Sequence, residues 1–174
     1  AGLASAHQAD SQDICFIPDG DYVRFLRDYG GVTPEPGDFV DASGRVLGRH
    51  RGLVCYTAGQ RKGLGVSADR PLYVIAKNAG TNTVLLGDDA ELFSGALLAS
   101  HVNWIAGGAP GEEVRCTAKT RYSQKECEAV VTPLAPGGAH VELLTPQRAV
   151  TAGQAVVFYD GDEVLGGGTI ERAL

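Results

Sequence analysis

Much is missing from this 174-residue sequence, and each absence narrows what it does. No apolar stretch approaches the ~20 residues that cross a bilayer, so a membrane span is excluded. The segment AGLASAHQADSQ has no basic stretch followed by an apolar run and does not read as a secretory signal. The four cysteines (Cys15, Cys55, Cys116, Cys127) form no CxxC pair and the four histidines are scattered, so no metal site is expected. Two disulfides are arithmetically possible, yet nothing points to an oxidising compartment; the thiols are read as reduced and the protein as cytoplasmic. Methionine is absent, so the chain is expected to start at a processed or otherwise defined end and to be a piece of something longer. Aromatics are sparse at 7% while glycine is abundant at 24 residues, which favours a turn-rich β protein over a helical bundle.

What is present is ordinary for a folded protein: 44% hydrophobic and 21% charged residues, with bulk for one large domain or two small ones. The net charge of −6 argues against general polyanion binding by the whole molecule. Its distribution differs from its sum. Residues 45–62 carry Arg45, Arg49, Arg51, Arg61 and Lys62 with no acid, and residues 115–125 carry Arg115, Lys119, Arg121 and Lys125 with no acid. Either window alone reads as a solvated sheet face; two on an acidic chain point to a local site for phosphates of RNA or DNA.

Along the chain, SQDICFIP is a short apolar run closed by Pro18, and Asp19 is the expected N-cap of a helix over DGDYVRFLRDYGG. Tyr22, Phe25, Leu26 and Tyr29 recur there at helical spacing, and Gly30 and Gly31 stop it. From Val32 the pattern turns to short strands. FVDASGRVLGRH turns at 42–44, GLVCYTAG reads as a strand, and LYVIAKN and NTVLLGD make a hairpin about AGTN. DDAELFSGALL is expected to be a linker or crossover. The runs SHVNWIA, EEVRCTAKTRY, ECEAVVTPL, AHVELLT, AVVFY and EVLGGGTIE follow, spaced as in a barrel or sandwich.

In the 114–122 run, Val114, Cys116, Ala118 and Thr120 fall on one face and Arg115, Thr117, Lys119 and Arg121 on the other. Cations two apart on a strand are separated by roughly 6.5–7 Å, similar to successive phosphates of an RNA strand. Tyr122 either stacks on a base or packs at the strand end. The GQRKGLG segment at 59–65 is either a tight turn or an anion cradle carrying Arg61 and Lys62; it is not a P-loop. In LGGGT the glycines are read as permitting a close strand crossing. Cys15, between Ile14 and Phe16, is either a core residue or a nucleophilic thiol beside a helix start.

Four segments in order, SQDICFIPDGDYVRFL, GRVLGRHRGLVCYTAGQRKGLGV, AKTRYSQ and TPQRAVTAGQAVVFYDGDEVLGGGTI, resemble the tRNA-specific 2-thiouridylases over about Leu3 to Ile170. That resemblance implies a three-part enzyme, a tRNA-uridine 2-sulfurtransferase. In it an ATP-binding PP-loop domain adenylates the wobble uridine, and a central domain and a C-terminal β-barrel like those of elongation factors grip the tRNA. No Ser-Gly-Gly-x-Asp-Ser loop occurs here, so this sequence resembles the central and C-terminal portions, ATP belongs to a domain it does not carry, and it is expected to be inactive alone.

The implied architecture is mainly β. Residues 1–31 would be the tail of the PP-loop domain with the cysteine linker and helix, 32–93 a small central β-rich domain, and 94–174 an antiparallel tRNA-binding barrel. Carried over by motif, Cys15 matches the persulfide-bearing cysteine, charged by a sulfur-donor protein such as a persulfide relay or a cysteine desulfurase. Arg121, Tyr122 and Gln154 match tRNA contacts; Arg61 and Lys62 are further candidates. Cys55, Cys116 and Cys127 match no catalytic position. A non-catalytic RNA-binding β module, with Cys15 merely core, is the alternative, and a small-ligand barrel a third reading.

Overall fold

The computed structural model describes residues 17, 21–105, 108–122 and 124–174. Its one long helix, α1 (Tyr22–Gly30), is bounded by local chemistry. The Asp21 carboxylate accepts a 2.9 Å hydrogen bond from the Arg24 backbone N–H, and Gly31 closes the last turn in the left-handed region at φ 62°. The cap is therefore Asp21 and not Asp19, which lies outside the described residues; the carboxylate three residues before Arg24 is the one in reach of its N–H. Phe25 and Tyr29 stack on the helix surface with ring centroids 5.0 Å apart.

Four short strands, β1 (Gly37–Val40), β2 (Val46–His50), β3 (Tyr73–Asn78) and β4 (Thr83–Gly87), form a sheet in the order β2-β1-β4-β3. Only the β1–β4 pairing is parallel. The alternation in each strand turns Phe39, Val74, Val84 and Leu86 inward, where Tyr56 and Leu64 complete a small core. His50 is buried there against Phe39 and Tyr56. Its Nδ1 accepts from the Gly52 N–H and its Nε2 lies 3.0 Å from the Asn82 carbonyl, so both ring nitrogens have backbone partners. GLVCYTAG is not a strand: Leu53–Cys55 is a 3-10 turn, because Gly52 enters it at φ 125° against Pro34 and the chain turns back under the sheet.

The segment expected to be a linker or crossover carries the chain from sheet to barrel, and it is structured throughout. Asp89–Leu92 is a 3-10 turn with a reciprocal cap, the Asp88 side chain meeting the Glu91 backbone and Glu91 Oε1 accepting from the Asp88 N–H at 2.8 Å. The twelve-residue β5 (Phe93–Trp104) starts at once. It joins β6 (Val114–Lys119), β7 (Cys127–Leu134), β8 (Gly138–Arg148), β9 (Ala155–Asp160) and β10 (Glu163–Ala173) in a closed antiparallel barrel, ordered β10-β5-β8-β7-β6-β9. Closure removes the free sheet edges. Thirteen buried residues fill it, with Leu97, Val131, Val141, Val156, Phe158 and Ile170 at its centre and Trp104 stacked on Phe158.

Where β10 crosses its two neighbours it reads Gly166-Gly167-Gly168. A Cβ at Gly167 would stand 2.7 Å from the Val156 carbonyl oxygen and one at Gly168 2.8 Å from that of Ser100, so bare backbone is required on both sides. The close crossing expected from LGGGT is what these glycines make. Opposite them, β5 carries a bulge at His101 (φ 51°), which bends the long strand round the barrel wall.

Candidate nucleic-acid interface

The alternation read in the 114–122 run is realised on β6. Ala118 and Thr120 are buried and Cys116 packs on the barrel core, while Arg115 is exposed and Lys119 and Arg121 stand on the outer side, half-buried. Pairing of β6 with β9 sets Lys119 opposite Val157 and Thr117 opposite Tyr159. The outer faces of these two strands form the floor of a cleft of about 580 Å³, walled by Arg121, Tyr122 and Gln154. All three carried-over positions therefore meet at one place.

The loop after β6 is held by side chains. Thr120 Oγ1 donates to Gln124 Oε1 at 2.7 Å, and Gln124 Nε2 donates to the Arg148 carbonyl at 3.2 Å. Arg121 Nη2 donates to the Ala149 carbonyl at 2.6 Å and to Thr151 Oγ1 at 3.3 Å, and Thr151 Oγ1 itself donates to Ala149 at 2.8 Å. Yet Arg121 Nε and Gln154 Oε1 are both buried with no hydrogen-bond partner among the described residues. An orphan donor and an orphan acceptor on one cleft, each costing about 1–3 kcal/mol, mark a place where a polar partner would be gained. Tyr122 exposes 77% of its surface, with Tyr159 on the floor below. Rings, cations and unpaired polar atoms together make a surface suited to a nucleotide: base on ring, phosphate on cation.

Residues 23–88 match the family of tRNA methyl transferase PRC-barrel domains and residues 94–170 that of aminomethyltransferase β-barrel domains. The chain is 50% identical over 170 residues to the tRNA-specific 2-thiouridylase MnmA of Acetivibrio thermocellus, covering 98% of this chain and 47% of that protein. It is 49% identical over 175 residues to the protein of that name from Symbiobacterium thermophilum, covering 99% and 44%. A relative from Desulfitobacterium hafniense gives 49% over 179 residues, covering 97% and 48%. The chain belongs to the tRNA-specific 2-thiouridylase family. It spans about half the length of the curated relatives it matches.

The two acid-free windows of this 2-thiouridylase-family chain fare differently once folded. In the first, Arg49 meets Asp38 across β1–β2 at 3.5 Å and Arg45 meets Asp41 at 3.3 Å, while Arg70, just beyond it, meets Asp88 at 2.6 Å. Register brings acids that the linear window excludes. Arg61 and Lys62 are exposed, and neither they nor Arg115, Lys119, Arg121 and Lys125 have a carboxylate in ion-pair range among the described residues. The surviving positive surface among the described residues is thus the second window, the end of the first, and Arg51 between its two paired arginines and that end.

Cys15, the residue matched to sulfur transfer, lies outside the described residues. Burial raises the Cys116 thiol to about 11, with the neighbouring Cys127 and Asp160 adding to it, and burial raises Cys127 as well. At neutral pH both are protonated and poor nucleophiles, and they stay free rather than paired. Among the described residues no three His, Cys, Asp or Glu side chains gather as a metal site would need. Sequence reasoning missed Tyr159, whose alternation with Val157 and Ala155 on an outward face was its only signal, and Arg148, which carried none.

Proposed function

We propose that this chain is the tRNA-gripping part of a tRNA-uridine 2-sulfurtransferase, with the barrel cleft as its RNA site. The observation that carries the reading is the convergence of Lys119, Arg121, Tyr122 and Gln154 on one cleft, with Arg121 Nε and Gln154 Oε1 buried and unsatisfied. Relatives bearing the name 2-thiouridylase cover nearly all of the chain, which supports tRNA as the polyanion.

In the complete enzyme, ATP is bound by a PP-loop domain and the wobble uridine is adenylated at its C2 oxygen with release of pyrophosphate. A sulfur-donor protein charges Cys15 as a persulfide. Its terminal sulfur bonds to C2 while AMP leaves with the original oxygen. A second cysteine of the complete enzyme then attacks Cys15 Sγ, freeing the thiocarbonyl and leaving a disulfide that a thiol reductant returns to two thiols. The barrel's part is to hold the RNA so that the base presents its C2 edge. No helix among the described residues is long and apolar enough to cross a membrane, and we place the enzyme in the cytoplasm with its tRNA.

The test uses the complete enzyme. Cys15→Ser is expected to bind tRNA normally and to yield no 2-thiouridine by nucleoside mass spectrometry. Arg121→Ala is expected to weaken tRNA binding and to lower the salt slope by about one, as for one lost phosphate contact. Normal thiolation by Cys15→Ser would leave a non-catalytic RNA-binding module as the better reading; unchanged affinity in Arg121→Ala would remove the cleft from RNA binding.

A further inference from the structure

The two cationic windows are separated by more than fifty residues in sequence, yet the fold sets their surviving ends against one dipeptide. Gly59 opens the GQRKGLG loop and backs directly onto Arg148 and Ala149: a Cβ built there would lie 3.3 Å from Ala149 Cβ and 3.3 Å from Arg148 Nη1. On the other side of the same dipeptide, Arg121 donates to the Ala149 carbonyl and Gln124 to the Arg148 carbonyl. Two extended residues span at most ~7 Å, so loop and cleft are neighbours along one surface. We infer that Arg61 and Lys62 are the second half of a single RNA-backbone track that begins at the Arg121–Tyr122 cleft and crosses the 148–151 turn, with Arg148 holding the two halves in register.

Three further features carry this inference, which rests on the proposed RNA-binding role of the cleft. The loop is braced before any ligand arrives. Gln60 Oε1 accepts from the Thr57 N–H at 3.0 Å, Gln60 Nε2 donates to the Lys62 carbonyl at 3.0 Å, and the Gly59 and Gln60 backbone bridges Val74 in both directions at 2.8 and 2.9 Å. Its cations therefore project from a preformed turn, so binding need not order the backbone that carries them. Secondly, Arg61 and Lys62 have no carboxylate partner among the described residues, whereas Arg45, Arg49 and Arg70 each have one.

Thirdly, Asp89, an acid beside the junction, is already engaged. Asp89 Oδ1 accepts from Arg148 Nη2 at 2.9 Å and Nε at 3.2 Å, and the Arg148 guanidinium lies 5.5 Å from the centre of the Tyr73 ring. Arg148 thus joins barrel to sheet by a two-pronged contact and an aromatic one. It does so while its own carbonyl pins the cleft loop. A sugar–phosphate backbone, with evenly spaced charges and no demand on base identity, is the ligand that a track of this kind accepts.

The experiment measures binding of an unmodified tRNA transcript with uridine at the first anticodon position to the complete enzyme over a series of salt concentrations, with hydroxyl-radical footprinting. The Arg61→Ala/Lys62→Ala double variant is expected to bind on the order of tenfold more weakly and to lose about 1.5–2 from the salt slope. Its footprint should lose protection at nucleotides adjacent to, and distinct from, those lost in Arg121→Ala. Arg61→Lys/Lys62→Arg should retain the slope. Arg148→Met, which keeps the stem but not the fork, should weaken binding and show less than additive loss when combined with the double variant, because both disconnect the same half of the track. Wild-type affinity and slope in the double variant, with Arg121→Ala impaired, would overturn the track and leave the cleft standing. If Arg121→Ala were also silent, the cleft reading itself would fall. Additive losses with Arg148→Met would remove Arg148 as a positioning residue.

Discussion

The four-stranded sheet and the six-stranded barrel were dealt similar runs of basic residues and handle them in opposite ways. On the sheet, strand register and tight turns set an acid against Arg45, Arg49 and Arg70, so those charges are spent within the protein. On the barrel, β6 faces Val157 and Tyr159 of β9 on one side and Glu128 of β7 on the other, yet among the described residues no carboxylate comes into ion-pair range of Lys119 or Arg121, which keep their charge for something else. A cationic stretch keeps its charge for a ligand only where strand pairing leaves the nearby carboxylates out of ion-pair range. That is decided by pairing between strands, a tertiary property, more than by the stretch itself.

The comparison extends to the cores, which are separate: among the described residues, six buried hydrophobic residues lie under the sheet and thirteen inside the barrel. The largest expected effect tests that separation. Phe39→Ala, in the sheet core, should cost the sheet about 3–5 kcal/mol. It should leave in place the unfolding transition reported by fluorescence of Trp104, which stacks on Phe158 inside the barrel. Leu97→Ala, in the barrel core, should move that transition down by about 2–5 kcal/mol. A Trp104 transition that shifts equally in both variants would merge the two regions into one cooperative unit.

The charge contrast is sharpened by removing one cation from each region. Lys119→Ala should lower the salt slope of tRNA binding by about one and weaken affinity several-fold, while Arg49→Ala should change neither, its charge being held by Asp38. Equal slopes in the two variants would break the contrast. Arg49→Ala should also move stability by no more than about 0.5 kcal/mol, as expected for an exposed pair.

The smallest effect concerns the barrel thiols. Because burial lifts Cys116 to about 11 from an ordinary value of 9.0, the folded state holds the proton more tightly than the unfolded one. Its contribution to stability is complete below pH 9 and is lost as pH rises from about 9 to 11. Denaturant titrations across that range should show a shallow decline that Cys116→Val flattens; an identical decline in that variant would assign it elsewhere.

Much of this was legible in the residues. The hairpin about AGTN, the two faces of the 114–122 run and the barrel-like spacing of its strands all follow from side-chain alternation and turn chemistry, which are local. What escaped was non-local or depended on a competing local choice. Two aspartates flank the helix start, and which of them caps depends on where the chain turns. GLVCYTAG alternates like a strand, but the left-handed Gly52 redirects it. DDAELF looks like a linker until Asp88 and Glu91 cap one another. The Arg49–Asp38 pair and the Arg148 contacts required strand register, which no single segment specifies. The motif-based assignments at Arg121, Tyr122 and Gln154 fall together on one cleft, whereas Cys15 belongs to the part outside the described residues.

The way β10 completes the barrel has a consequence for biosynthesis. It is the last of the six staves in chain order, and it zips simultaneously to β9, its near neighbour, and to β5, some seventy residues earlier. Until its three glycines leave the ribosome, β5 and β9 remain raw edges of a curled but unsealed sheet. The nascent barrel therefore stays unlatched for most of its synthesis, open to aggregation or chaperone capture, and has no seal at all if translation stops before β10.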